Sequence, residues 1–209
     1  MSLSLILLAV LAGVVGAGAV TIRQLVDRIR MLERQAITDA LTGAFNRRHF
    51  NDCLRTAIER RRRFGEPACL VVFDVDRFKD INDRLGHLAG DAVLKGLVLL
   101  ARRSVRTLDL LFRTGGEEFA LVLPSTRFHG ALAVAEQVRT LVAAWRPIDG
   151  QTISISIGVS ELRRGQSPLD WIGDADRALY LAKRAGRNRI AGGTTATAPV
   201  EVLEASRGA

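Results

Sequence analysis

Cysteine is scarce in this sequence, and its scarcity excludes several classes of protein. The 209 residues include two cysteines, Cys53 and Cys69, and their spacing fits neither a zinc site nor a disulfide framework. Cys69 lies inside the apolar run Ala68 to Phe73, where we expect an inert core thiol. Two unpaired cysteines are typical of a protein that works in a reducing compartment.

Lysine and aromatic residues are also scarce, although the chain is strongly basic. The formal net charge is +8, and only three of the 30 basic residues are lysines. The arginines are spread along the chain and form a single run, Arg60 to Arg63, which is typical of a solvated helix face. No stretch mixes basic with aromatic residues, as a platform for stacking bases would. We therefore expect no nucleic acid partner.

The N-terminal segment lacks charge. Residues 2–22 carry no charged side chain, and a stretch of this length can span a bilayer core of about 30 Å. Arginines follow the stretch closely and none precedes it, so the positive-inside rule places the rest of the chain in the cytoplasm. We expect residues 1–22 to form a single-pass anchor in the cytoplasmic (inner) membrane, with residues 3–22 in the lipid. The alternative is a cleaved signal peptide, because Ala17-Gly18-Ala19 resembles a cleavage site.

The segment after the anchor has a heptad pattern. Apolar residues recur at the a and d spacing, with Arg and Glu between them: Ile22, Leu25, Ile29, Leu32 and Ala36. Residues 23–37 are therefore predicted to be a helical linker that forms a short parallel coiled coil in a homodimer. The alternative is an amphipathic helix packed on its own domain. Residues 192–209 are rich in Gly, Thr and Ala, and we expect a disordered tail.

Residues 38–191 alternate between helical and strand patterns, which predicts one α/β domain. Two apolar runs, Leu108 to Phe112 and Phe119 to Leu123, flank a Gly-Gly pair and predict a β-hairpin with a tight turn. Because a hairpin supplies two neighbouring strands, we expect a central, mostly antiparallel sheet flanked by helices.

Acidic residues stand at two places beside predicted strands, directly after the Gly-Gly pair and at the end of the buried strand that begins at Ala68. The sequence has neither a Walker A loop nor a dinucleotide-binding fingerprint, so any nucleotide must be held in another way. Glu117 and Glu118 come directly after Gly115 and Gly116, where a carboxylate pair suits a hard cation that carries phosphate. Asp74 ends the buried strand, and Asp76 is predicted to cap the helix that follows. The free N–H groups at that helix start suit a phosphate.

Five separated motifs resemble those of the GGDEF family of diguanylate cyclases. They stand in the family's order, and the resemblance covers residues 37–191. They are Asp39-Ala40-Leu41-Thr42-Gly43-Ala44-Phe45-Asn46-Arg47-Arg48, the block from Asp74 to Asp83, Gly86 to Asp91, Arg113-Thr114-Gly115-Gly116-Glu117-Glu118-Phe119, and Ala175 to Arg189.

The resemblance implies a palm-like α+β fold and a role for each matching residue. Asp74, the main-chain carbonyl of Val75 and Glu117 would bind Mg²⁺ or Mn²⁺, and Glu117 and Glu118 would be catalytic. The substrate GTP would be held by Phe78, Lys79, Asn82, Asp91, Gly115, Gly116, Lys183 and Arg187. Within this set, Asn82 and Asp91 would read guanine.

The implied reaction condenses two GTP molecules into cyclic di-GMP and two pyrophosphates. Each domain would hold one GTP, so two domains would face each other in a homodimer. Arg106 and Asp109 resemble the family's product-inhibition site, although Ala133 and Gln137 stand where a further arginine is expected. Two alternatives remain: a non-catalytic module that binds GTP or cyclic di-GMP, and a cyclase that makes a single-nucleotide product.

Overall fold

The computed structural model describes residues 15–16, 18–28, 32, 37–148, 150–193 and 201–203. The chain divides into two compact units, Met1–Ile37 and Thr38–Ala209. In the first unit, residues 18–28 are helical. None of the helices described is both long enough and apolar enough to cross a bilayer. The anchor predicted for residues 3–22 and the linker predicted for residues 23–37 lie partly outside the described residues, and the structure gives the membrane helix no support.

The second unit is an α+β fold with one seven-stranded sheet. Its strands are β1 (Phe45–Asn46), β2 (Ala68–Val75), β3 (Leu110–Arg113), β4 (Glu118–Pro124), β5 (Ile155–Glu161), β6 (Ile190–Gly193) and β7 (Glu201–Leu203). Its helices are α1 (Arg47–Phe64), α2 (Phe78–Leu85), α3 (His87–Arg103), α4 (Phe128–Ala144) and α5 (Pro168–Arg184). The strand order is β1-β3-β4-β2-β5-β6-β7.

The sheet is mixed, so the prediction of a mostly antiparallel sheet is corrected. The inner strands are antiparallel, because β3 and β4 form the predicted hairpin and β2 lies between β4 and β5. Strand β1 pairs parallel with β3, and β6 pairs parallel with β5. The reason lies in the connections: α5 links β5 to β6 as a crossover, which returns the chain in the same direction.

Two other predictions need correction. The connection between β3 and β4 is a four-residue loop, residues 114–117, which is longer than the tight turn predicted at the Gly-Gly pair. The disordered tail predicted for residues 192–209 is wrong for residues 192–193 and 201–203, because β6 and β7 pair antiparallel there. Paired backbone groups hold these residues even though few of them are large and apolar.

Strand β2 is the centre of the fold, and all eight of its residues are buried. Its side chains alternate between two layers, as the pleat of a strand requires. Val71 and Phe73 join the cluster that includes α3 and α4, whereas Leu70 and Val72 join the cluster that includes α1 and α5. The sheet therefore has helices on both faces, and the carboxyl end of β2 emerges between the two layers.

Helix α5 lies unusually close to the sheet at Gly158 in β5. A Cβ atom at Gly158 would lie 2.1 Å from the carbonyl oxygen of Ala175 and 2.4 Å from the amide nitrogen of Leu179, both in α5. Trp171, also in α5, is fully buried and donates its indole N–H to the carbonyl of Ser160. These contacts fix the distance of α5 from the sheet.

We predict that Gly158→Ala lowers the free energy of unfolding by roughly 3 kcal/mol, because backbone atoms of α5 would have to move away. The measurement is chemical denaturation of the full chain. Gly173→Ala is the matched control: Gly173 is within α5, and a Cβ atom there would lie 3.6 Å from Nη1 of Arg177, an ordinary contact. That variant should gain about 0.5–1 kcal/mol. Equal stability of Gly158→Ala and the wild type would contradict the close packing.

Candidate functional site

The register of the sheet brings two acidic segments together. In the antiparallel pair of β2 and β4, Asp74 lies opposite Glu118, and on its other side Asp74 lies opposite Ser156 in β5. Glu117 directly precedes β4, and the negative charge of Asp74 contributes to raising its pKa. Residues that are more than 40 positions apart in the sequence therefore form one carboxylate cluster at the end of β2.

A single lysine faces this cluster. The Nζ atom of Lys183, near the end of α5, lies 3.0 Å from Oδ1 of Asp74. The Asp74 side chain is 9% exposed and that of Lys183 is 35% exposed, so water screens the pair only partly. In this structure the ammonium occupies the position of a counterion for the buried carboxylate.

Burial and mutual repulsion raise the pKa of two of these carboxyl groups. Burial raises the pKa of Asp74 most, Lys183 opposes the rise, and Glu118 adds to it. Burial also raises the pKa of Glu117, with Asp74 adding to the rise and Lys183 opposing it. Asp74 and Glu117 thus share one nearby ammonium, with Glu118 adding negative charge beside them, and the cluster favours a further positive charge.

A buried polar acceptor lies between α2 and α3. Oδ1 of Asn82, in α2, is the one buried side-chain nitrogen or oxygen atom without a hydrogen-bond partner within the part of the chain that the structure describes. A Cβ atom at Gly90 in α3 would lie 2.0 Å from this oxygen, so glycine leaves room for the Asn82 side chain there. Asp91 follows Gly90 directly and is half-buried. A buried acceptor of this kind needs a partner, which a water molecule or a ligand can supply.

The start of α2 presents backbone groups beside the carboxylate cluster. Phe78 is buried at the first position of α2, Lys79 is exposed beside it, and the preceding Arg77 has a left-handed backbone with a φ of 56°. The sequence favours Asp76 as the cap of this helix, and that interpretation is wrong, because Arg77 occupies the cap position without a side-chain hydrogen bond. Asp76 instead accepts hydrogen bonds from β5 and from the loop after α5.

The loop of the β3–β4 hairpin is held from both sides. Arg113 donates from Nε and Nη2 to the carbonyl of Gly116 and from Nη1 to the carboxylate of Asp39 at 3.0 Å. Arg47 Nη1 donates to the carbonyl of Thr114 at 2.9 Å. The sequence motifs contain Arg47, Asp39 and Arg113, but residue types alone gave no reason to connect them with this loop.

The two glycines of the loop have different surroundings. A Cβ atom at Gly115 would lie 2.4 Å from Oε2 of Glu118, so glycine keeps room for that carboxylate. At Gly116 a Cβ atom would meet nothing within 4 Å. The loop is therefore open on the side of Gly116, where a ligand can approach the backbone.

The remaining predicted residues lie on loops. Arg187 is exposed in the loop after α5, with a positive φ of 61°. Arg106 and Asp109 form a compact turn before β3, in which the N–H of Arg106 donates to Oδ2 of Asp109 at 2.8 Å. Arg139, which lies near Gln137 in the sequence, is buried against Glu136 and Asn188 and does not extend this pair.

We predict that Lys183→Met raises the pKa of both Asp74 and Glu117 further, because the nearby positive charge that favours their ionised forms is lost. Carbon-detected NMR titration of the two carboxyl groups in the metal-free full chain measures the change. Lys95→Met, an exposed lysine of α3, is the matched control and should shift neither group. A fall in either pKa in Lys183→Met would contradict the assigned pairing.

Comparison with known proteins gives a consistent result. The family model described as "Diguanylate cyclase, GGDEF domain" matches residues 36–189. The chain is 40% identical over 160 residues to the diguanylate cyclase DgcP of Pseudomonas aeruginosa, which covers 75% of this chain and 24% of that protein. It is 39% identical over 163 residues to the response regulator PleD of Caulobacter vibrioides, which covers 75% of this chain and 36% of that protein.

A solved structure is similar over most of the chain. The coiled coil and GGDEF domain of DgcB from Caulobacter crescentus, solved in complex with c-di-GMP, has a TM-score of 0.73 at 30% identity and covers 88% of this chain and 99% of that one. The chain spans less than half the length of the curated relatives named above. Motifs, sheet and family match agree, and the chain belongs to the GGDEF domain family of diguanylate cyclases.

Proposed function

We propose that this chain is a diguanylate cyclase that condenses two GTP molecules into cyclic di-GMP and two pyrophosphates. The observation that carries the proposal is the carboxylate cluster of Asp74, Glu117 and Glu118, which one lysine leaves partly uncompensated. Relatives at 37–40% identity are named diguanylate cyclases. The buried Asn82 acceptor beside Gly90 and Asp91 adds a place where the guanine of GTP could bind.

The donor set fits a magnesium or manganese ion. The three carboxylates and Lys183 carry a formal net charge of −2, which one divalent cation would balance. No three Asp, Glu, His or Cys side chains converge as a complete metal site within the described residues. Asp74 and Glu117 would hold the ion together with the main-chain carbonyl of Val75, all hard oxygen ligands. When bound, the ion would lower the pKa of the attacking hydroxyl and offset charge on the phosphate.

The side chains around this set would bind and orient GTP. Asn82 and Asp91 present an amide and a carboxylate, which complement the acceptor and donor edge of guanine. The N–H groups of Phe78 and Lys79 at the start of α2 would face the terminal phosphates, with Lys183 and Arg187 supplying positive charge. Gly116 leaves the hairpin loop open to the nucleotide.

Glu117 is the residue that we assign to proton transfer. The 3′-hydroxyl of one GTP attacks the α-phosphorus of the other, and its proton must move to a base. We assign Glu117 to accept this proton because its carboxylate lies in the cluster beside Asp74. Glu118, opposite Asp74 in the sheet, would assist from the neighbouring position.

Each domain holds one carboxylate cluster and one Asn82 acceptor for guanine, so the proposed reaction would need two domains face to face. The apolar side chains of the predicted coiled coil support a homodimer, because Ile22, Leu25 and Leu32 are each about 60% exposed. Burying them against a second copy would raise the effective concentration of one half-site at the other. Membrane attachment through residues 3–22 and a catalytic domain on the cytoplasmic side stay predictions.

Cyclic di-GMP is proposed as an inhibitor as well as the product. Arg106 is exposed and leaves its guanidinium available to a phosphate or a guanine edge. Asp109 is partly engaged by the turn that it shares with Arg106. Since Arg139 is occupied elsewhere, the two residues of this turn would bind the product without a third arginine from α4.

The first test incubates the full chain with GTP and Mg²⁺ and follows the product by mass-resolved chromatography. We predict that Glu117→Gln lowers the rate of cyclic di-GMP formation by roughly 10²–10⁴-fold, as loss of a general base does. Glu66→Gln, which removes a charge from a surface ion pair with Arg60, should leave the rate unchanged. A wild-type chain that binds GTP and forms no product would instead favour a non-catalytic binding module.

We also predict that Arg106→Ala keeps its initial rate and loses inhibition when cyclic di-GMP is added. The physical reason is the loss of the guanidinium that would pair with the product's phosphate. Inhibition curves against added cyclic di-GMP measure this, with Arg103→Ala as a control because Arg103 is an exposed arginine at the end of α3. Equal inhibition of Arg106→Ala and the wild type would remove this turn from regulation.

A further inference from the structure

Asp76 is a buried carboxylate that joins three separate segments. Its Oδ2 accepts from the hydroxyl of Ser154 at 2.7 Å, and its Oδ1 accepts from the hydroxyl of Ser156 at 2.7 Å. The main-chain N–H of Asn188 donates to the same Oδ2 at 3.0 Å. Asp76 is 9% exposed. It therefore links the end of β2 and the start of β5 to the loop that follows α5.

Asn188 receives a second set of contacts from the opposite helical layer. Nη1 of Arg139, in α4, donates to Oδ1 of Asn188 at 3.0 Å and to its carbonyl at 3.4 Å. Arg139 is 6% exposed, and both oxygens of the Glu136 carboxylate accept from its other nitrogens at 2.8 and 2.6 Å. A continuous polar chain thus runs from Glu136 through Arg139 and Asn188 to Asp76.

The loop that this chain holds has an unusual backbone. Arg187 and Asn188 have φ values of 61° and 44°, a region that residues with a Cβ atom rarely adopt. Consecutive residues of this kind persist only where their surroundings fix them. The hydrogen bonds from Asn188 to Asp76 and from Arg139 to Asn188 supply that constraint, and the N–H of Arg187 donates to the carbonyl of Ala182.

Asp76 connects the proposed metal site to the loop that carries Arg187. Asp76 is two residues after Asp74 and next to Val75, whereas Asn188 is next to Arg187. The same carboxylate therefore connects the strand that would hold the metal ion to the loop that would contact the phosphates. Asp76 also lines a cavity of about 450 Å³ together with Arg77, Arg84 and Arg187.

We propose that Asp76, Asn188 and Arg139 are positioning residues that hold Arg187 toward the terminal phosphates of GTP. The inference rests on the proposed function, because it takes GTP as the ligand. None of the three residues needs to touch the nucleotide. Their role is to keep one arginine, on a strained loop, in a single orientation relative to the carboxylate cluster.

Binding of two nucleotides to the full chain separates this role from general support of the fold. The probes are 3′-deoxyguanosine triphosphate, which lacks the attacking hydroxyl and cannot be condensed, and GMP, which lacks the terminal phosphates. In Asp76→Asn one acceptor oxygen becomes an amide nitrogen. We expect about tenfold weaker binding of the triphosphate, on the scale of one charged hydrogen bond, and unchanged binding of GMP. Asp52→Asn, an exposed aspartate of α1 that pairs with Arg55, is the control and should bind both as the wild type does.

A double-mutant cycle with Arg187→Ala tests whether Asp76 acts through Arg187. We expect Arg187→Ala and the double variant Asp76→Asn/Arg187→Ala to bind the triphosphate equally weakly. Additive losses, or an equal loss of GMP binding, would overturn the proposal. If Asp76→Asn does not fold, Asn188→Gly serves in its place: glycine accepts the positive φ and keeps the N–H to Asp76, and only the side-chain acceptor for Arg139 is lost.

Asn188→Gly should also weaken triphosphate binding and leave GMP binding unchanged, and wild-type affinity for the triphosphate in that variant would overturn the proposal.

The proposed function and the positioning role of Asp76 fail in different experiments. A wild-type chain that does not bind the triphosphate would reject both the proposed function and this inference. A wild-type chain that binds it, with Asp76→Asn equal to the wild type, would overturn the inference alone.

Discussion

The repulsion among carboxylates at the end of β2 is the constraint on which the site depends. The antiparallel register places Asp74 opposite Glu118, with Glu117 beside them, and burial denies the carboxylate of Asp74 much of its hydration. Such a cluster is unfavourable unless positive charge lies nearby. Lys183 provides part of that charge, and it does so only because α5 packs closely against β5 at Gly158. The charge balance of the site thus depends on the packing of a helix on a sheet.

The layered core explains why the cluster can exist. Strand β2 has apolar contacts on both faces, so its position is fixed by the two clusters of buried side chains. A strand held in this way can end in a polar residue that is partly buried, because the cost is offset by the apolar burial along the rest of its length. The hairpin loop is held in place by Arg113 in β3 and Arg47 in α1, which donate hydrogen bonds to its main-chain carbonyls.

A second polar chain organises the opposite edge of the same site. Asp76 and Arg139 are buried and charged, and each is surrounded by hydrogen-bond partners. Buried charges that are fully bonded in this way rigidify a structure, because breaking one bond leaves an uncompensated group behind. The loop with Arg187 is thereby linked to both helical layers, although it lies at the surface.

The sequence by itself determined the alternation of helices and strands, the hairpin around Gly115 and Gly116, and the family, because periodicity and local motifs are properties of neighbouring residues. It did not determine the parallel pairings of β1 and β6, since strand order depends on how whole elements pack. It also suggested a cap where Asp76 in fact bonds to Ser154, Ser156 and Asn188. Those partners are 78 to 112 residues away, and only the tertiary structure brings them within hydrogen-bond distance.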